Sequence, residues 1–285
     1  MGFNQFAAYL RYSLLFLLLA TSSGRLVANS LPTHTPVPGG IAVIEIPASA
    51  PSTEQSPAAY YRDTRVMLIA NDKQVWHAIV GIPLAAKPGT HHVSINQQQI
   101  AFTVQPKTYK EQRITLTNKR QVNPAPMDME RIGREKRIMV AAFKDWNDQL
   151  TPSLTLTKPV AGPYSSPFGL RRFFNDQPRN PHSGLDIAAP EGAPIEAPAT
   201  AVVVTTGDYF FNGKTILLDH GHGLISMYCH LSQINVDKGE LVNTHDVIGL
   251  VGKTGRVTGP HLHWSVSLNN ARIDPALLMK IASDE

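Results

Sequence analysis

The stretch Gly259-Pro260-His261-Leu262-His263-Trp264, near the C-terminal end, decides how the rest of the sequence is read. Continued as a strand through Ser265-Val266-Ser267-Leu268, it points His261 and His263 to one face, because strand side chains alternate with period two. Alone, such a pair is equally well explained as two satisfied core histidines. Residues elsewhere change that reading. In His182-Ser183-Gly184-Leu185-Asp186, the run Leu185-Asp186-Ile187-Ala188 reads as a short strand, and positions 182 and 186 share its parity. His230 follows Met227-Tyr228-Cys229. Together these supply the imidazoles and the carboxylate of a catalytic zinc site, with histidines left over for proton transfer and oxyanion binding. Spacing alone does not divide ligands from acid/base groups.

Around these residues, from Pro159 onward, short strand-like runs follow one another: Ala201-Val202-Val203-Val204, Thr215-Ile216-Leu217-Leu218, Leu224-Ile225-Ser226-Met227-Tyr228 and Val247-Ile248-Gly249-Leu250-Val251. Gly and Pro punctuate nearly every joint, which predicts an antiparallel β domain over 158–285. Such a sheet sets side chains from distant segments side by side. The aromatic loops Arg171-Arg172-Phe173-Phe174 and Asp208-Tyr209-Phe210-Phe211 are candidate groove walls, with Tyr209 the expected substrate contact, although packing of the rings explains them equally.

Upstream, Pro124-Ala125-Pro126 marks a change of composition. Asp128 is the expected cap of a helix in which Met129, Ile132, Met139, Phe143 and Trp146 recur at helical spacing, within a connecting segment 121–157. Before it, Ile41–Ile46, Arg65–Ala70, Trp76–Ile82, His92–Ile95, Ile100–Val104 and Arg113–Leu116 are strand-like, so residues 31–120 are expected to form an immunoglobulin-like β-sandwich. The fold class is therefore mainly β, with a small helical link. Residues 1–30 hold Arg11 ahead of the apolar run Leu14–Ala20, too short to span a bilayer, and small residues at Ala20-Thr21-Ser22 and Ala28-Asn29-Ser30, which predicts a secretory signal with no membrane span left after cleavage. A periplasmic or envelope location follows.

The 285 residues are 42% apolar, enough to bury two modest cores, and the single Cys229 leaves an exported chain without an internal disulfide. The formal charge of +4 is uneven: residues 1–157 hold 16 Lys/Arg against 10 Asp/Glu, and 158–285 hold 10 against 12. A basic front half suits an anionic wall or membrane surface, or simply a solvated helix face. Export and the lack of a reading motif argue against nucleic acid. Gly252-Lys253-Thr254 is a turn rather than a phosphate loop, because Val247 stands where the leading glycine is required. His220-Gly221-His222 is read as a turn in preference to a second metal site.

His182-x-x-x-Asp186, Tyr228-Cys229-His230-Leu231, Gly252-Lys253-Thr254-Gly255 and Thr258-Gly259-Pro260-His261-Leu262-His263 together resemble the M23 zinc metallopeptidases, the lysostaphin and LytM-like peptidoglycan endopeptidases. The resemblance covers about residues 160–280. It implies zinc on His182, Asp186 and His263, with His230 and His261 as the catalytic histidines, and the peptide stems of peptidoglycan as substrate. The family also holds degenerate members that activate other wall hydrolases without cutting, and a non-hydrolytic regulator is the alternative expectation. Here all five positions are filled. The front half more weakly resembles an N-terminal β domain of secreted members, through Gly39-Gly40-Ile41-Ala42-Val43, Val80-Gly81-Ile82-Pro83-Leu84 and Tyr109-x-x-Gln112.

Overall fold

A computed structural model describes residues 31–47, 58–71, 73, 75–96 and 98–279. The expected export signal at 1–30 lies outside the described residues. In the front part, strands β1 (Ile41–Glu45), β2 (Ala59–Tyr61), β3 (Thr64–Ala70), β4 (Trp76–Gly81), β5 (Gly89–Ile95) and β6 (Gln98–Val104) form one antiparallel path in the order β1-β4-β3-β2-β5-β6. The path folds on itself between β3 and β2. Ala42, Ile44, Ala78 and Val80 of one half then meet Val93, Ile95, Phe102 and Val104 of the other, which is the sandwich core expected from the succession of short strands.

The opposite face of β1, β3 and β4 is not solvated. Ile41, Met67 and Ile79, all fully buried, belong to the same apolar cluster as Trp264, Val266 and Leu268 near the C-terminal end. Burial on both faces explains why these strands read as nearly continuous apolar runs rather than clean alternation. Each such side chain contributes roughly 1.5–3 kcal/mol of burial, so the front sheet is clamped to the rest of the molecule rather than tethered to it. Gly81 sits at the seam. A Cβ there would stand 2.6 Å from the Leu268 carbonyl oxygen, and its amide and carbonyl pair with the Asn269 side chain at 2.6 and 3.0 Å.

Strand β7 (Glu111–Ile114) departs from expectation. Its sequence had placed it in the front sandwich, but it pairs in parallel with β9 (Arg171–Phe174), beyond the helical segment. Pro106 ends the preceding run, and Tyr109, whose hydroxyl donates to the Pro38 carbonyl (2.7 Å), turns the chain toward Phe168 and Gly169. Helix α1 (Lys119–Val122) and helix α2 (Pro126–Phe143) follow. Asp128 is not the cap of α2. The helix starts at Pro126, which suits the first turn, and Asp128 lies inside it, accepting from the Ala125 amide (3.1 Å) and from Arg120 Nε (2.7 Å). The buried face accordingly runs through Asp128, Glu135, Ala142 and Phe143, and Met129 is exposed. Ala142 and Phe143 pack on Leu217, Ile225 and Met227.

The C-terminal part is β apart from a single 3-10 turn at Pro275–Leu278 among the described residues. After β8 (Tyr164–Ser166), β9 and β10 (Gln177–Pro178) come β11 (Leu185–Ile187), β12 (Pro194–Glu196), β13 (Ala201–Tyr209), β14 (Gly213–Asp219), β15 (Leu224–Leu231), β16 (Gln233–Ile234), β17 (Leu241–Val242), β18 (Val247–Leu250), β19 (Leu262–Leu268) and β20 (Ala271–Ile273). The main sheet runs β17-β13-β14-β15-β19-β11-β8, with β20 also on β19; β12, β18 and β16 form a small second sheet. Trp264 and Tyr228 are cross-strand partners in the fully buried centre. Among the described residues no helix is long and apolar enough to cross a membrane.

Candidate metal centre

Register brings the first two candidates together. Asp186 on β11 lies directly opposite His263 on β19, so their side chains share a face. His182 does not lie on a strand, contrary to the parity argument. It precedes β11 in an extended segment fixed by His182 N–H to Leu170 carbonyl (2.8 Å) and Gly169 N–H to His182 carbonyl (2.7 Å). Gly184 lets that segment lie against β19, since a Cβ there would come within 2.5 Å of the Trp264 carbonyl oxygen. The result is a cluster in which His182 Nε2, His263 Nδ1 and Asp186 Oδ1 stand 2.8–3.0 Å from one another.

The outer nitrogen of each ring is already committed. His182 Nδ1–H donates to the Pro167 carbonyl (2.8 Å), and His263 Nε2 shares a hydrogen bond with the Ser265 hydroxyl (2.9 Å). With the His263 proton on Nε2, three lone pairs converge on one point, an arrangement matched to a metal ion. Two neutral imidazoles and a carboxylate, with room for a fourth ligand, are the donor set of a catalytic zinc site. Burial opposes ionisation of Asp186, but hydrogen bonding to His182 and His263 outweighs it and holds the carboxyl well below the usual carboxylate range. Its second oxygen accepts from Arg172 Nη2 at 2.8 Å, while Arg172 Nε donates to Gln112 Oε1 at 3.0 Å. Strand β7 thus reaches the metal cluster through one side chain.

His230 and His261 face this cluster, with ring centroids 4.9 Å apart, and His230 lies 6.0 Å from His263. Cys229 pairs with His263 across β15 and β19, so simple alternation would send His230 to the opposite face. Two features bring it back. The ladder between β14 and β15 slips between Lys214 and Ile216, leaving a bulge, and His230 takes a left-handed φ of 69°. Thr254 holds the result: its carbonyl accepts from His230 Nδ1–H (2.9 Å) and its hydroxyl donates to the Leu231 carbonyl (2.8 Å). His261 Nδ1–H donates to the Gly259 carbonyl (2.9 Å), so the Nε2 atoms of both rings remain for other partners. Burial, then the neighbouring His263 and His261, push the His230 pKa down to about 3, which keeps the ring neutral.

The four histidines lie where two cavities meet. One, of about 310 Å³, runs between Gln112, Ile114, Leu116 and the loop 256–261; the other, of about 450 Å³, is bounded by Val122, Arg179, Phe211 and His182. Tyr209, expected to line the groove, is buried at the end of β13 with its ring against Gly207, and lines neither cavity; Phe211, two residues on, does. His220 and His222 do not converge on a shared point: His220 contacts the Thr200 carbonyl and Ser226, and His222 stacks on Trp146 at 5.8 Å. Thr254 and Gln112 stood in motifs that carried the resemblance, but nothing in the sequence gave them or Arg172 a role at the site. Only the pairing of Arg171-Arg172 with an aromatic loop pointed near the site.

Residues 180–275 match peptidase family M23, and residues 34–107 match the peptidase family M23 N-terminal domain. A solved structure of a Pseudomonas aeruginosa protein assigned to peptidase M23 is 42% identical, with a TM-score of 0.70, over 85% of this chain and 94% of that one. The chain belongs to peptidase family M23. All five clustered residues fall inside the M23 match. Of the segments that suggested the N-terminal domain, Gly39–Val43 and Val80–Leu84 lie inside the second match, while Tyr109 and Gln112 lie just beyond it. Zinc is the cofactor this family implies, and the donor set fits it. Two curated relatives are similar over the M23 part: DD-carboxypeptidase/endopeptidase Mpg of Neisseria meningitidis, 39% identical over 39% of this chain, and peptidoglycan DD-endopeptidase ShyA of Vibrio cholerae, 44% identical over 30% of it. The match spans 26% and 20% of those proteins' lengths.

Proposed function

We propose that this chain is an exported zinc metalloendopeptidase that hydrolyses peptide cross-links of bacterial peptidoglycan. The observation that carries this reading is the convergence of His182 Nε2, Asp186 Oδ1 and His263 Nδ1 within 3.0 Å, faced by two further imidazoles with free Nε2 atoms. The relatives named for peptidoglycan endopeptidase activity support the substrate class.

His182, Asp186 and His263 hold the metal in this reading. When bound, zinc supplies Lewis acidity toward a carbonyl and toward water. His261 accepts the proton released as water attacks. His230, kept neutral by burial and fixed by Thr254, offers Nε2 to the oxygen that becomes negative or to the leaving amine. Arg172 holds Asp186 in place from behind. Residues 1–30 are the export signal, 31–120 the N-terminal domain, 121–157 the connection and 158–285 the catalytic domain, in an envelope or periplasmic setting.

Incubation of the purified chain with peptidoglycan sacculi, with and without chelator, tests this. Muropeptide release that stops with chelator and returns with zinc is expected. Binding to sacculi without release would favour the non-hydrolytic regulator, and casein cleavage without release would move the substrate from wall to protein.

A further inference from the structure

Three guanidinium groups surround the histidines. Arg172 and Arg256 line both cavities beside His230, and Arg179 lines the larger. Among the residues lining these cavities Asp186 is the sole carboxylate, and its free oxygen is taken by Arg172. Arg256 and Arg179 have no carboxylate within ion-pair distance among the described residues. Their hydrogen bonds go to neutral oxygens: Arg256 Nη1 donates to the Gln121 carbonyl (3.2 Å), and Arg179 Nη2 donates to the Val122 carbonyl (2.9 Å) and Gln177 Oε1 (2.6 Å).

Arg256 is also held flat. Its guanidinium carbon lies 4.7 Å from the Phe174 ring centroid and 4.4 Å from that of Phe211. Burial, then the charges of Arg179 and Arg172, lower its pKa to about 10, so it remains a cation at neutral pH. A partly buried cation without a counter-charge gains from pairing, and a planar fork already oriented by two rings is matched to a carboxylate. Arg256 and His230 line the same two cavities, so an anion on Arg256 would share the cleft with the reacting bond.

We propose that Arg256, assisted by Arg179, is a subsite for a free carboxylate on a substrate residue flanking the scissile bond. This rests on the peptide-hydrolase reading above and narrows its substrate class. Peptides with that carboxylate free are selected over their amides. The carboxylate can be a chain end or one retained inside a branched cross-link.

Calorimetric titration of the zinc-loaded full chain tests this with three synthetic peptides: a branched cross-link with free carboxylates, the same molecule with the flanking carboxylates amidated, and a linear peptide ending in a free carboxylate. The free acid should bind at least about tenfold more tightly than the amide, the scale of one charge-assisted hydrogen bond. In Arg256→Gln that gap should fall below about twofold, with amide binding unchanged. Equal binding of acid and amide by the unsubstituted chain, which needs no variant, overturns the proposal, as does a gap that survives in folded Arg256→Gln. If that variant fails to fold, Arg179→Gln should narrow the gap about threefold, and an unchanged gap counts against the subsite. Preference for the linear acid assigns a chain-end carboxylate, and preference for the branched acid assigns an internal one. Muropeptide release from sacculi is read in parallel. In the unsubstituted chain, no acid preference with release intact sinks the subsite alone, whereas an acid preference without release sinks the hydrolase reading alone.

Discussion

Two buried histidine–aspartate regions share the main sheet, and they differ in where their lone pairs go. At one, His182, Asp186 and His263 turn three acceptor atoms toward a common point while their remaining ring nitrogens are tied to Pro167 and Ser265. At the other, Asp219 accepts from the Gly221 amide (2.8 Å), His220 Nδ1–H donates to the Thr200 carbonyl (3.1 Å), and His220 Nε2 meets Ser226 (2.7 Å), which meets the Tyr228 hydroxyl (2.8 Å). Both are desolvated. Only the first gathers two ring nitrogens and a carboxylate oxygen around one point, where a metal ion fits. Burial of histidine beside aspartate is therefore a weak sign of a metal site, and unshared convergence is a strong one.

The contrast breaks most sharply at His263. His263→Ala should release zinc, read by metal analysis, and reduce muropeptide release to background; retained zinc with full activity would contradict the assignment. Next, Arg172→Met leaves all three donors in place but removes the partner of Asp186 Oδ2. Zinc affinity, read by competition with a chelator, should fall about 10- to 100-fold. An unchanged affinity would mean that Arg172 is not a positioning residue.

At the second region the expected effects are on stability. Burial lowers the His220 pKa to about 4 from an ordinary 6.5. The native state holds the ring neutral, so its contribution is present above pH 6.5 and is lost as pH falls toward 4. That loss is worth up to about 3 kcal/mol. The stability difference between the unsubstituted chain and His220→Gln, from urea unfolding, should therefore shrink between pH 7 and pH 4; a difference independent of pH would refute it. Smallest is Ser226→Ala, which orphans His220 Nε2 and removes one partner of the Tyr228 hydroxyl, and should destabilise by about 1–2 kcal/mol. Zinc content should not change, and a loss of zinc would erase the distinction between the two regions.

Much of the site was readable in advance because its signals are local. His261 and His263 flank Leu262, His182 precedes Asp186 by four, and His230 closes an apolar strand. The helix was readable in place and, through Met139 and Phe143, largely in phase, but not at its start. Its start at Pro126 and the polar partners of Asp128 and Glu135, supplied by Arg120 and the Phe210 amide, turn Met129 outward. Tyr209 and Phe211 stand on one loop with similar composition, and which ring meets the cleft depends on how β13 ends. Strand β7 looked like its front neighbours because hydrophobic pattern does not say which sheet edge a strand will join.

By itself the sequence supplied the candidate His and Asp residues with their spacing and the β character of both parts, because these depend on chemistry and on short-range periodicity, while the division into expected ligands and acid/base groups came from the resemblance. Only the tertiary structure decided that His230 shares a face with His263, that Arg172 braces Asp186 with help from Gln112, and that Arg256 is held between two rings without a counter-charge. Each of those follows from strand register and from contacts between residues tens of positions apart, which a one-dimensional pattern does not encode.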